Sequence, residues 1–478
     1  MAVERRDTQL LVLGAGPGGY AAAFRAADLG LDVTLVDPEA APGGVCLHRG
    51  CIPSKALLHV ATLIEEARRA SAFGVDFGEP TIDLERLRAF KDDVVGRLTG
   101  GLAQLCKARG VTYLQGRGRL LDAHSAHIDC VEARRIEIGF EHVVLATGSR
   151  PIVPESLRID SPRVMTSSGA LALGERPNEL LVVGGGYIGL ELGSVYAALG
   201  SRVTVVEATD SLLPGVDRDL VRVLARSLES RFAAIHTGTE VAALSIDGDS
   251  VQARLRTGDG ECDERFDAVL VAVGRRPNSS GLGLESTRVE IDERGFIRVD
   301  EARRTAEPSI LAIGDLCGEP MLAHKATHEG LVAAEVAAGR AAAFEPQAIP
   351  AIVFTDPEIA WCGMTEDEAR AAGIEVQTAR FPWQASGRAL TLGRNDGLTK
   401  LIVDAENQRV LGVGIVGPGA GELIGEATLA IEMGATTTDL AAIVHAHPTL
   451  SETLMEAAEA FHGRSLHYWR RPSRSRRG

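Results

Sequence analysis

Gln9-Leu10-Leu11-Val12-Leu13-Gly14-Ala15-Gly16-Pro17-Gly18-Gly19 leads, through an alanine-rich stretch, to Val33-Thr34-Leu35-Val36-Asp37. Four apolar residues in succession, Leu10 to Leu13, are the pattern of a strand covered on both faces, as in a parallel sheet. The glycines after it permit a sharp turn, and Gly18 to Leu29 has the character of a helix. Val33 to Val36 forms the next strand, and an acid closes it. Strand, glycine turn, helix, strand and terminal acid together make a dinucleotide fingerprint. Its glycines allow the turn, the approach of a pyrophosphate and close helix–strand packing, while Asp37 is placed to accept bonds from a ribose.

The pattern recurs. Leu180-Leu181-Val182-Val183-Gly184-Gly185-Gly186-Tyr187-Ile188-Gly189 leads through a helix to Val203-Thr204-Val205-Val206-Glu207, an offset of 170 from Gly14 to Gly184. Two such units bind two dinucleotides or duplicate one scaffold. At the second, Ala208-Thr209-Asp210 brings no arginine for a 2′-phosphate, so NAD is favoured over NADP. The second unit also replaces Ala21 by Glu191, either on a solvated helix face or as a partner for a lysine.

Between the two lies Gly43-Gly44-Val45-Cys46-Leu47-His48-Arg49-Gly50-Cys51-Ile52-Pro53-Ser54-Lys55. Two cysteines share a glycine-punctuated turn, and Cys51 opens a helix with Pro53 in its first turn. The helix dipole lowers the pKa of a thiol placed there. A redox pair, a shared metal and a chance neighbourhood are the three readings; no second Cys/His pair at ligand spacing accompanies it. Further along, Val143 to Ser149 is a buried strand ending in small residues, echoed by Val269 to Asn278. Ser309 to Asp315 ends in Gly-Asp, at a strand end where ligands collect or as a simple turn. From Ala348 the pattern becomes antiparallel strands and helices, including Ile352–Phe354, Thr399–Val403, Val410–Val416 and a helix from Glu422 to Met433. In His445-Ala446-His447-Pro448-Thr449-Leu450-Ser451-Glu452, Thr449 and Glu452 have capping-box spacing. His447 with Glu452 equally suits a general base held by a carboxylate.

The bulk properties narrow the function classes. The 478 residues exceed one core and suggest about three domains. A net charge of −15 argues against nucleic-acid binding. No uncharged apolar run spans a bilayer, and Met1 to Asp7 has no signal character. Seven scattered cysteines do not form a secreted disulfide framework, so a cytoplasmic location is expected, where a close cysteine pair is more often catalytic than structural. The arginine-rich end, Arg470 to Gly478, reads as a disordered solubilising tail.

The cysteine stretch, Met321-Leu322-Ala323-His324-Lys325-Ala326 and the His445–Glu452 run resemble the dihydrolipoyl dehydrogenase branch of the pyridine nucleotide–disulfide oxidoreductase family, from Gln9 to about Gly463. The resemblance implies an α/β fold: two Rossmann-like dinucleotide-binding domains plus a C-terminal α+β dimerisation domain. Its divisions fall at 1–150 (FAD, with the redox cysteines), 151–276 (NAD), 277–346 (completing the FAD site), 347–466 (interface) and a 467–478 tail. It implies FAD held by Gly14, Gly16, Gly19, Asp37, Gly43, Gly44, Lys55, Gly118, Thr147, Gly148, Asp315 and Ala323. NAD falls to Gly184, Gly186, Gly189, Glu207, Val241 and Gly274. No metal is implied. Lys55 would pair with Glu191, Cys46 would face the substrate and Cys51 the flavin. His447, oriented by Glu452 and supplied by the partner subunit of a homodimer, would be the base. The implied activity is oxidation of protein-bound dihydrolipoamide with NAD⁺, serving a lipoyl-bearing acyltransferase or a glycine cleavage carrier. Tyr187 resembles the gate tyrosine of glutathione reductases. Those reductases and trypanothione reductase fit poorly with the acidic NAD site and with Ser54. Mercuric reductase fits poorly without a C-terminal cysteine pair, and a flavin transhydrogenase would lack Cys46 and Cys51. A redox-responsive binding protein would not need the full catalytic set.

Overall fold

Strand register is what gathers the functional residues of this chain. In the computed structural model, which describes residues 4–131 and 134–469, Leu13 pairs with Val36 on one side and Leu145 on the other, and Leu145 pairs with Ala312. The four strands therefore end in one row. The residues that follow, Gly14, Asp37, Ala146 to Gly148 and Ile313 to Asp315, emerge together along the carboxyl edge, where α/β sheets bind ligands.

The chain divides into two compact units. The first comprises Met1–Val60, Phe77–Arg176 and Leu270–Glu345. Its parallel sheet runs Thr112–Leu120, Val33–Asp37, Glu4–Leu13, Arg135–Leu145, Ile310–Ala312, and Ser125–Cys130 joins its first and fourth members antiparallel. Leu10 to Leu13, Leu35 and Val143 to Leu145 are almost wholly buried, as a sheet covered on both faces requires. The first fingerprint helix occupies Pro17–Asp28, a residue earlier than the sequence suggests, because Pro17 suits a helix's first position. The cysteine stretch is not a turn but two helices, Gly44–Arg49 and Cys51–Arg69, broken at Gly50. A side chain at Gly50 would lie 2.8 Å from the Val45 carbonyl oxygen, which keeps that break bare.

The second unit comprises Ala61–Asp76, Pro177–Val269 and Pro346–Gly478. The recurrence seen in the sequence is a recurrence of structure: Glu179–Val183, the helix Tyr187–Ala198 and Arg202–Val206 repeat the first unit's strand, helix and strand. Gly14 N–H donates to Val36 O and Gly184 N–H to Val206 O, both at 2.8 Å. The strands Glu240–Asp247, Ser250–Thr257 and Gly260–Phe266 form a small antiparallel sheet. A five-stranded antiparallel sheet runs Ala351–Val353, Glu358–Gly363, Val410–Gly417, Leu398–Asp404, Val376–Pro382. The helices Ala420–Glu432 and Glu452–Phe461 complete its core around Trp383 and Phe381. Trp383 is fully buried; its indole N–H donates to Thr399 Oγ1 at 3.0 Å, and the Thr399 hydroxyl donates to Thr453 Oγ1 at 2.8 Å. That relay docks the start of the helix bearing Glu452 onto the sheet. His467 and Tyr468 pack on this unit through Glu456 and Phe381, whereas the arginine tail from Arg470 lies outside the described residues. Among the described residues no helix is long and apolar enough to cross a membrane.

Asp356 is the chief electrostatic joint of the second unit. Arg69, Arg231 and Arg394 all bind its carboxylate. Burial alone would push its pKa up; the three guanidiniums outweigh burial and bring it from 3.8 down to about 2. The folded-state pKa is lowered, so the stabilisation is present above about pH 4 and is lost as pH falls towards 2. It is worth about 2 kcal/mol. Asp356→Asn should lower the melting temperature at pH 7 and flatten the loss of stability between pH 4 and 2, measured by thermal melts across that range.

Candidate active site

Each fingerprint turn is held by its own acid. Asp37 Oδ2 accepts the Ala15 N–H at 2.7 Å, and Oδ1 accepts that of Glu39 at 2.9 Å. Glu207 repeats this: Oε2 accepts Gly185 N–H at 2.7 Å, and Oε1 accepts the Thr209 N–H at 2.8 Å and its hydroxyl at 2.7 Å. The acids expected to meet a ribose thus already brace the turn, with a lone pair left on both Asp37 oxygens and on Glu207 Oε2. Burial pushes the Asp37 pKa up, against the pull of the Ala15 and Glu39 N–H groups.

The glycines of the turns divide by physical cause. Gly14 and Gly184 have φ of +104° and +108°, and methyls at Gly19 and Gly189 would strike the Gly14 and Gly184 carbonyl oxygens at 1.8 and 2.1 Å. Protein geometry alone demands those four. Gly16 and Gly186 are different: a methyl at Gly186 meets nothing within 4 Å, and one at Gly16 only the Gly44 Cα at 3.9 Å. Both face open space at the N-terminus of a helix whose first-turn N–H groups lack intrahelical partners. Bare backbone beside such a terminus fits a dinucleotide pyrophosphate.

The redox stretch is locked to the first turn. Gly43 N–H donates to Ala15 O at 2.8 Å, and a side chain at Gly44 would lie 2.5 Å from Gly16 Cα. Cys46 and Cys51 are both thiols, and their side chains hydrogen-bond. That bond first, then burial, then charge on Cys51 hold the Cys46 thiol far above its ordinary value, while the Lys55 charge works the other way. Lys55 lies one helical turn beyond Cys51 in Cys51–Arg69. Tyr20, on the fingerprint helix, is pushed up by burial and then by charge on both cysteines.

Thr147 and Gly148 leave the same sheet edge. The Thr147 hydroxyl donates to Asn278 O at 3.0 Å, and Asn278 N–H donates to Gly148 O at 2.9 Å. Asp315 accepts the Ser149 hydroxyl, and Arg275 Nε donates to Ser149 Oγ at 2.8 Å. Gly118 packs over the end of the first strand, where a methyl would meet Leu13 Cδ2 at 2.5 Å. Ala323 begins the helix Ala323–Ala337. Within that helix Glu329 is fully buried; it accepts Gly314 N–H at 2.6 Å and meets both Lys325 Nζ and Arg303 at 3.0 Å. Glu329 escaped the sequence reading, although its spacing of four from Lys325 was a usable signal.

In the second unit Glu191 is 3% exposed and accepts Phe354 N–H at 3.0 Å, so the solvated-face reading fails. Lys55 belongs to the first unit and Glu191 to the second. Val241 is buried at the start of Glu240–Asp247, and Tyr187 is 40% exposed at the head of its helix. Gly274, in the first unit, has φ of +133° and accepts Ile152 N–H at 2.9 Å. His447 Nδ1 meets Glu452 Oε1 at 2.9 Å, leaving Nε2 of a 72% exposed ring for chemistry. Glu452 Oε2 accepts Thr449 N–H at 2.7 Å, which is half of a capping box. The box is not completed, because the helix starts at Glu452 with Ser451 as its cap residue; the Thr449 hydroxyl donates to Ala446 O. Burial would raise the Glu452 pKa, but Thr449 N–H and His447 together hold it below the usual carboxylate range.

The sequence model of the pyridine nucleotide-disulphide oxidoreductase family matches residues 8–330, and that of its dimerisation domain matches residues 349–458. The chain belongs to this family. A dihydrolipoyl dehydrogenase of Vibrio cholerae is 48% identical over 456 residues, covering 95% of this chain and 96% of that protein. The crystal structure of LpdA from Mycobacterium tuberculosis superposes with a TM-score of 0.87 at 29% identity, covering 96% of this chain and 100% of that one. A copper(II) complex of RclA, an HOCl-induced flavoprotein disulfide reductase of Escherichia coli, gives 0.84 at 29% identity, covering 95% and 99%. Members of the family use FAD and a pyridine nucleotide, and both fingerprints have the open glycine each needs.

Gly186 offers a clean test of the second fingerprint. Gly186→Val should leave the fold and the bound FAD intact while raising the KM for NAD⁺ at least about tenfold, since the added side chain fills ligand space rather than protein space. Unchanged nucleotide affinity by titration calorimetry would remove the pyrophosphate from that turn.

Proposed function

We propose that this chain oxidises dihydrolipoamide to lipoamide and delivers the electrons to NAD⁺. The observation that carries the proposal is the hydrogen-bonded Cys46–Cys51 pair packed, through Gly43 and Gly44, against the first dinucleotide turn. The near full-length likeness to dihydrolipoyl dehydrogenases supports the substrate.

Each residue then has a physical task. Nε2 of His447, its ring fixed by Glu452, takes the proton from a substrate thiol, because the thiolate is the attacking species. The thiolate attacks Cys46 of the Cys46–Cys51 disulfide, forming a mixed disulfide and releasing Cys51 as thiolate. The second substrate thiolate displaces Cys46, so lipoamide leaves oxidised and the cysteine pair remains reduced. FAD supplies the electron transfer from that pair to NAD⁺, which leaves as NADH. Asp37 and Asp315 would hold FAD at the adenosine and ribityl ends, with Gly14, Gly16, Gly19, Gly43, Gly44, Gly118, Thr147, Gly148, Lys55 and Ala323 along its length. Gly184, Gly186, Gly189, Glu207, Val241 and Gly274 would hold NAD, and Lys55 would pair with Glu191. The divisions 1–150, 151–276, 277–346 and 347–466 follow these tasks.

The dimerisation domain supports a homodimer in which the base comes from the partner copy. A lipoyl-bearing acyltransferase or glycine cleavage carrier would present the substrate, in the cytoplasm. Mixing the protein with dihydrolipoamide and NAD⁺ should produce NADH. No turnover, with rapid NADPH-driven reduction of glutathione instead, overturns the assignment. His447→Gln should lower kcat/KM for dihydrolipoamide about a thousandfold with FAD still bound. Full activity in that variant would remove the base.

A further inference from the structure

Residues 443–449, which carry His447, have no regular secondary structure, and every residue from Ala442 to Pro448 is exposed except one. The exception is His445, whose side chain is 6% exposed. Its Nε2 donates to Glu426 Oε1 at 2.9 Å, and its Nδ1 lies 3.2 Å from the Ile443 carbonyl oxygen. Glu426 sits in the helix Ala420–Glu432, whose Ile424, Ala427 and Ala430 are buried in the core beneath. On the other side of His447, Thr449 ties the segment to the helix Glu452–Phe461 through its N–H and to Ala446 through its hydroxyl.

The base is therefore suspended between two anchors on two different helices. Glu452 fixes the ring of His447 itself. It does not fix the backbone that brings the ring there; besides His447 itself, the side chain between Ile443 and Thr449 that reaches back to a regular element is His445. Val444, beside it, is 95% exposed and holds nothing. Without the inward bond the segment keeps only its end ties, Ile443 N–H to Leu440 O and Thr449 N–H to Glu452, and the bond from the His447 ring to Glu452 must then hold the backbone between them as well. Proton abstraction needs donor and acceptor within hydrogen-bond reach, so small displacements weigh heavily on the rate.

We infer that His445 and Glu426 are positioning residues: their hydrogen bond holds the segment so that His447 meets the substrate thiol. The inference rests on the function proposed above. Glu426→Ala removes the bond, whereas Glu426→Gln keeps a side-chain oxygen and nitrogen at the same reach. In Glu426→Ala, kcat/KM for dihydrolipoamide should fall about tenfold to a hundredfold. NADH oxidation by ferricyanide, which requires no thiol proton transfer, should be unchanged in the same variant, as should the KM for NAD⁺ and the FAD content. Glu426→Gln should recover most of the lost kcat/KM. Hydrogen-exchange mass spectrometry supplies a readout independent of turnover: exchange across 443–449 should rise in Glu426→Ala and not in Glu426→Gln.

Wild-type kcat/KM or unaltered exchange in Glu426→Ala overturns the inference. So does a parallel loss of ferricyanide reduction or of FAD, which would show a structural role, and so does failure of Glu426→Gln to rescue. If the unaltered protein does not oxidise dihydrolipoamide, the proposed function falls while the exchange comparison still decides whether Glu426 anchors the segment.

Discussion

A carboxylate accepting a backbone N–H across a glycine turn is the interaction on which this chain depends most. Asp37 to Ala15 and Glu207 to Gly185 are the same bond made twice. Each ties the end of one strand to the turn leaving its neighbour, and each does so where burial strengthens the attraction and excludes competing water. In the first unit the next connection builds on it directly. Ala15, whose N–H binds Asp37, offers its carbonyl to Gly43, so the acid, the nucleotide turn and the redox stretch form one hydrogen-bonded series.

Much of this could be read from residue order because its causes are local. Buried parallel strands announce themselves as apolar runs, and glycines at required positions announce the turns, so both fingerprints were legible, although the first strand begins at Glu4, ahead of its apolar run, where the polar residues give no signal. The helix Gly44–Arg49 was not, since six residues are too few to display a period. The strand Gly260–Phe266 hid for another reason: it is an exposed edge strand of mostly polar residues, without the apolar alternation of a half-buried one. The strands Glu358–Gly363 and Val376–Pro382 were likewise missed, because their burial comes from partners distant in sequence.

Side-chain roles divided along the same line. His447 with Glu452 was visible because both lie within one short run. Thr449 was misread as a cap: spacing identified the pair, but the turn around Pro448 sends its hydroxyl to Ala446. Position raised Glu191, through the fingerprint repeat, and could have raised Glu329, four residues from Lys325, but it did not show what either carboxylate meets. Only the folded chain shows that one meets the Phe354 backbone and that the other, fully buried, pairs with both Lys325 and Arg303.

The contact of Gly44 with Gly16 carries an implication for transplanting this chemistry. Because the Gly44 backbone lies against that of Gly16, the redox stretch tolerates no side chain at Gly44 while the nucleotide turn keeps its place. A designer who moves the cysteine helices, residues 44–69, to another nucleotide-binding scaffold must carry the turn 14–19 with them.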